Sequence, residues 1–131
     1  MIPDESFERL AGAPIAYLAT VREDGTPHVV RCRFACHGDT VYAVVEAPGD
    51  SGASAAAIEH QSLVSVMAGS DHTDDRRWWV RADGHARVID DADDATRLRQ
   101  FLIEKYHSPN GEGLEGSIIT VEIREWRFWP E

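Results

Sequence analysis

The sequence predicts a mainly β domain of the α+β kind, six antiparallel strands closed into a small barrel with a few helices at its flanks. Three observations carry this. Residues 77–89 (RWWVRADGHARVI) alternate with period two. Arg77, Trp79, Arg81, Asp83, His85 and Arg87 share one face; Trp78, Val80, Ala82, Gly84, Ala86 and Val88 share the other, the pattern of a half-buried strand. Two short turns, Asp24-Gly25 and His37-Gly38-Asp39, join consecutive strand patterns, which makes those neighbours antiparallel. The order helix, three strands, helix, two strands, helix, strand then leaves six strands, and closing them removes exposed edges.

Residues 1–11 read as a short amphipathic helix with Phe7, Leu10 and Ala11 inward and Asp4 or Ser6 as its cap. Residues 15–21 form a strand, 22–27 (REDGTP) a hairpin turn, and 28–36 a second strand that sets Val29, Arg31 and Arg33 against Val30, Cys32 and Phe34. Residues 40–45, rich in Val and Tyr, make the third strand, and 46–51 a loop with Pro48 and Gly49. The alanine-rich stretch 53–60 favours helix, with Ser51 or Ser54 as cap. Residues 63–68 return as a strand, 69–75 as a polar loop, and 77–89 as the long strand. The carboxylates at 90–94 suit the positive start of a helix running to Tyr106, with Ala95, Leu98, Leu102 and Tyr106 as its buried stripe. Pro109 and three glycines make 108–116 a mobile loop, and 117–128 is the last strand.

At 131 residues the chain reads as one domain, 1–131, long enough for a core without disulfides or metal. A hydrophobic fraction of 43% with 27% charged residues is that of a soluble globular protein. No apolar run is long enough to span a bilayer. The acidic first ten residues do not resemble a signal peptide, so a cytoplasmic location is expected. A net charge of −10 opposes general binding to nucleic acid or to anionic membranes, both of which need a positive field.

Cys32 and Cys36 point the same way on an extended strand, roughly 13 Å apart at ~3.3 Å per residue, too far to bridge; they read as small core residues. Tyr17 and Tyr42 read as core-edge residues, with lining a pocket as the alternative. His72, Asp74 and Asp75 lie in a polar loop with one imidazole, a poor metal site, and no metal is expected. Arg31 and Arg33 share a strand face, where either pairing with carboxylates or binding an anionic ligand accounts for them. Trp79 is the outlier of the long strand, the largest apolar side chain on a polar face. A partner subunit, a flat ligand or the stems of Arg77 and Arg81 would have to cover it. The aromatic set Trp78, Trp79, Trp126, Phe128 and Trp129 exceeds what one small core needs, and a symmetric interface would bury the surplus. No serine nucleophile elbow, paired-carboxylate spacing or phosphate-cradling glycine loop is present. That suits a protein whose chemistry comes from a bound cofactor.

Residues 16–21 (AYLATV) with 24–30 (DGTPHVV), then 39–42 (DTVY), then 78–88 (WWVRADGHARV) together resemble the split β-barrel flavin and deazaflavin oxidoreductases, the pyridoxamine 5'-phosphate oxidase-like superfamily. The likeness runs through nearly the whole chain and is nearest the branch that mostly uses the deazaflavin coenzyme F-420. It implies a homodimer with a flat tricyclic cofactor in a groove between subunits, the ring along the second and third strands. It also implies basic residues holding the phosphate tail after the third strand, and the tryptophan-bearing strand of the partner closing the pocket. Carried onto this chain, the cofactor groove is His28, Val30, Arg31, Arg33, Ser51, Ser54, Trp79 and Arg81. Arg31 and Arg33 would meet anionic groups, Ser51 and Ser54 the phosphate, and Trp79 and Arg81 would come from the second subunit. The chain departs from the pattern at the usual Arg and Lys, which fall near Gly52 and Ser54; residues 47–61 contain neither Lys nor Arg. The implied activity is hydride transfer from reduced F-420, with FMN the second choice, to a small conjugated substrate. A non-catalytic small-molecule binder on the same scaffold, with no redox cofactor, is the alternative.

Overall fold

A computed structural model describes residues 4–38, 40–45, 52–70 and 76–130. In chain order the elements are α1 (Asp4–Gly12), β1 (Ala16–Val21), β2 (Pro27–His37), β3 (Thr40–Val45), α2 (Ala53–His60), β4 (Leu63–Gly69), β5 (Trp79–Val88), α3 (Ala92–Tyr106) and β6 (Ser117–Trp129). All strand pairs are antiparallel, and the sheet closes in the order β1-β2-β3-β6-β5-β4. The expected barrel is present, with element ends displaced by a residue or two.

Local chemistry accounts for the connections. The β1–β2 turn is held by Asp24, whose carboxylate accepts from the Thr26 amide at 3.0 Å and the Thr26 hydroxyl at 2.6 Å, while Gly25 takes φ 86°. These bonds favour the charged form and lower the Asp24 pKa. Asp91 caps α3 by accepting from the Asp94 amide at 2.9 Å. β5 and β6 slip register between Asp83 and Gly84. A side chain at Gly84 would meet the Glu122 carbonyl oxygen at 2.1 Å, so the bulge needs glycine.

The period-two reading of β5 holds. Val80, Ala82, Gly84 and Ala86 are buried, while Trp79, Arg81, Asp83, His85 and Arg87 face outward. Inward residues of the other strands, among them Leu18, Phe34, Val41, Val66 and Val121, complete the core, joined by Leu10 of α1 and Ile58 of α2. A second cluster forms outside the barrel, where Leu98 and Leu102 of α3 pack with Leu114 on Ala35 and Ile118. Phe7 of α1 meets Trp126 edge-on at 6.1 Å.

Three readings need correction. The loop at 108–116 is tied down, not loose. Arg99 donates to the carbonyls of Leu114 and Gly116, the Ser108 hydroxyl donates to the Glu112 carbonyl, and Leu114 is fully buried. Tyr17 is 48% exposed and sits on an open sheet face. Of the five surplus aromatics, Trp78, Trp126 and Phe128 pack on the chain's own core; only Trp79 and Trp129 are left outside it. Cys32 is buried and Cys36 partly so, with no disulfide between them, as expected of core residues. Burial lifts their thiols to about 12 and about 11. No helix is long and apolar enough to cross a membrane among the described residues.

Candidate functional site

The outward surface of the barrel is not covered evenly. α3 packs over β2, β3 and β6, and α1 and α2 lie against β5 and β1, while exposed side chains around Val29, Tyr17, Leu63 and Met67 leave a bare face on β2, β1 and β4. The strand registers set its side chains in rows. One row reads Arg31, Tyr17, Met67, Arg81, Arg127 across β2, β1, β4, β5 and β6; the next reads Val29, Ala19, Ser65, Asp83, Glu125. Trp79 and Trp129 are register partners at the end of β5 and β6. Trp79 lies over Gly69, where a Cβ would stand 3.5 Å from that of Trp79. Val29, Leu63, Trp129 and Tyr17 are each about half exposed (48–58%). Exposed apolar and aromatic side chains interspersed with Arg31, Arg81, Asp83, Glu125 and Arg127 make this the face best suited to meet something else.

The predicted groove residues divide on this frame. Arg31 is exposed on the bare face and has no ion pair among the described residues. Trp79 faces outward and is not tucked into its own barrel. Arg81 is there too, but it forks onto Asp83, with both contacts at 3.0 Å, and Asp83 also accepts from the Ser65 hydroxyl at 2.6 Å. Its charge is balanced within its own strand. His28 stands at the hairpin end of β2, where the Arg22 guanidinium donates to Nδ1 at 2.8 Å; because arginine only donates, Nε2 carries the ring proton. Val30 is 8% exposed and points into the barrel, so its side chain is core. Ser54 is fully buried in α2 and faces the protein interior, which removes its hydroxyl from an open groove. Ser51 lies outside the described residues, as do His72, Asp74 and Asp75. Among the described residues no group of His, Cys, Asp and Glu could hold a metal ion.

Arg33 points outward from the same strand but sits apart, under the 108–116 loop. Its guanidinium lies 5.3 Å from the Tyr106 ring centre, and Nη1 crowds Gly113, where a Cβ would come within 2.6 Å. Tyr106 is a residue that periodicity alone marked only as packing. Its hydroxyl accepts from the Phe34 amide at 3.0 Å and donates to the Pro14 carbonyl at 2.8 Å. It thereby occupies the edge of β2 just past the last β1 partner, Cys32. Beside it, the Lys105 ammonium is out of solvent, has no hydrogen-bond partner among the described residues, and sits 3.7 Å from the Phe34 ring centre. Burial lowers its pKa to about 8.

A closed antiparallel barrel with a bare, aromatic outer face is the architecture of the split-barrel cofactor-binding proteins. The sequence profile of the family described as Pyridoxamine 5'-phosphate oxidase matches residues 2–130, and the chain belongs to that family. No curated protein matches the chain. Among solved structures, it is similar to the conserved hypothetical protein Rv2991 of Mycobacterium tuberculosis, with 16% identity, 98% of this chain and 85% of that one covered, and a TM-score of 0.78. A FAD-binding protein of Mesorhizobium loti shares 18% identity over 98% of this chain and 94% of its own, with a TM-score of 0.72. HutZ, the heme storage protein of Vibrio cholerae, shares 17% identity over the same two fractions, with a TM-score of 0.74. At these identities the likeness is one of fold.

Proposed function

We propose that the chain is a homodimeric oxidoreductase that binds a deazaflavin, coenzyme F-420, in a groove formed where two bare faces meet. The observation that carries the reading is that face: Tyr17, Met67, Trp79 and Trp129 beside an unneutralised Arg31. An apolar, aromatic surface suits a flat ring and a second subunit; a free guanidinium beside it suits an anionic tail. When bound, the deazaflavin supplies the hydride. The chain's own part is to hold the ring against the sheet, exclude water with Trp79 and Trp129, and meet the tail's charge with Arg31. His28 on β2, with its ring proton on Nε2, is a candidate proton carrier. FMN is the second candidate, and the FAD-binding neighbour supports a flavin in this fold.

Titrating purified protein with F-420 and following its fluorescence tests the reading. A saturable change is expected at micromolar cofactor, weakened about tenfold by Arg31→Gln. No change at tens of micromolar with either F-420 or FMN refutes the enzymatic reading, and a monomeric mass by light scattering refutes the shared groove. A second reading, a binder without redox chemistry, draws support from residues 47–61, which lack Lys and Arg, and from the burial of Ser54. A colourless dimer that ignores both cofactors is its expected signature, and hemin, suggested by the heme-storage neighbour, is the ligand to try next.

A further inference from the structure

A cleft of about 720 Å³ opens on the other side of the barrel, between the first half of α3 and the outward faces of β3, β6 and β5. Its floor is two register rows. Arg87, Thr120 and Tyr42 stand side by side on β5, β6 and β3, and His85, Glu122 and Thr40 stand next to them. With strands about 4.8 Å apart, each row spans roughly 10 Å. Arg97 and Leu98 of α3 form the wall. None of the groove residues discussed above lines this cleft.

The floor is held in place. The Tyr42 ring stacks on Phe101 of α3, centroids 5.4 Å apart and planes 18° from parallel. His85 Nδ1 lies 2.8 Å from the Ser62 hydroxyl. Arg87 is exposed and has no ion pair or hydrogen bond among the described residues. Acids outnumber bases 23 to 13 in this chain, yet the Arg87 guanidinium stays open to an incoming anion. The Arg97 guanidinium, 3.1 Å from Asp94 on its own helix, adds a second cation at the rim. Beside the cations, Glu122 and the hydroxyls of Thr40, Thr120 and Tyr42 offer acceptors and donors, and Leu98 and Ala86 add apolar surface.

We propose that this cleft binds a small polyhydroxy carboxylate, its acid group on Arg87 and Arg97 and its hydroxyls on Thr40, Thr120 and Glu122. The two halves of the site call for the two halves of such a ligand. A guanidinium recognises a carboxylate through charge-assisted donors, and a carboxylate beside two threonines recognises hydroxyls. Glu122, 3.5 Å from Arg124, keeps acceptor capacity for hydroxyls, and an apolar molecule would leave Arg87, Thr40 and Thr120 without a partner.

D-gluconate is the probe, with acetate carrying only the acid and sorbitol only the hydroxyls. Chemical-shift changes in amide NMR spectra of the intact protein are followed at millimolar probe. Gluconate is expected to give saturable shifts confined to Thr40, Arg87, Thr120 and their neighbours, with affinity about tenfold above acetate or sorbitol. Arg87→Gln abolishes saturation, and Glu122→Gln weakens gluconate without weakening acetate. Arg9→Gln, on α1 and outside the cleft, leaves the binding unchanged and controls for net charge. Diffuse, non-saturating shifts, equal affinity for acetate and gluconate, or full binding by a folded Arg87→Gln protein each overturn the proposal.

Discussion

Replacing the only lysine tests the electrostatics at the seam where α3 meets β2. Lys105 leaves the last turn of α3 with Nζ out of solvent, without a hydrogen-bond partner among the described residues, and against the Phe34 ring. Burial is the main cause of its lowered pKa, from 10.5 to about 8; the Cys36 and Cys32 thiols push the other way. In the unfolded chain the amine returns to its ordinary value. Between pH 8 and 10.5 the unfolded state therefore holds more protons than the folded one, and stability rises with pH across that interval. Below about pH 8 both states are protonated and the cost of the buried ammonium is present in full. A fall from 10.5 to about 8, at about 1.4 kcal/mol per tenfold change in proton affinity, caps that cost at about 3–4 kcal/mol. The stem is only partly buried and water relaxes around it, which reduces the working figure to about 1–2 kcal/mol. Lys105→Met keeps the length and apolar stem and removes the charge. Urea unfolding at pH 7 should show the variant more stable by about 1–2 kcal/mol, a few degrees in Tm, with the gap closing toward pH 10. A variant no more stable at pH 7, or a gap that ignores pH, would refute the assignment of a costly buried ammonium and leave the cation–aromatic contact as the dominant effect.

Gly84→Ala forces a Cβ to within 2.1 Å of the Glu122 carbonyl; a loss of about 2–3 kcal/mol in unfolding free energy is expected, and an unchanged Tm would mean that the bulge relaxes freely. Tyr106→Phe leaves the Phe34 amide and Pro14 carbonyl without their partner, and denaturant unfolding should register about 1–3 kcal/mol. With their thiols lifted by burial to about 12 and about 11, Cys32 and Cys36 should resist iodoacetamide at pH 8 until urea unfolds the chain, as mass spectrometry will show. Where two bare faces meet as proposed, Trp129→Ala should weaken that association, lowering the mass in light scattering while leaving far-ultraviolet circular dichroism intact; a mass equal to that of the unaltered protein would place Trp129 outside the interface.

Much of the fold was legible because it rests on local rules. Period-two alternation in residues 77–89 fixes which face of β5 is inside. Asp24-Gly25 specifies the first hairpin, and Asp91 sits where a helix cap must. What escaped the sequence depends on long-range geometry. The Tyr106 hydroxyl serves Phe34, 72 residues away, and helical periodicity marks it only as one more buried position. The family resemblance implied Ser54 as a phosphate ligand, yet the face that α2 turns inward is decided by the barrel it packs on. The 108–116 loop has the composition of a free loop, but Arg99 reaches across from α3 to hold two of its carbonyls.

The arginines show what a simple strand rule can add. Residues two apart on a strand share a face, so a strand arginine with an acid at that spacing has a partner within reach. Arg81 finds Asp83, Arg127 finds Glu125 at 2.7 Å, and Arg124 finds Glu122 at 3.5 Å. Arg31, Arg33 and Arg87 have no acid two residues away on either side, and these three strand arginines make no ion pair among the described residues. In a chain with a net charge of −10, a cation without a carboxylate at strand spacing remains available to an anion from elsewhere. Arg31 stands on the bare face, Arg33 beneath the pinned loop, and Arg87 on the floor of the second cleft. The spacing that neutralises Arg81 is thus the same feature whose absence leaves positive charge at both candidate sites. Val29→Glu should place a carboxylate at strand spacing from Arg31 and silence it without touching the barrel core, since Val29 is exposed.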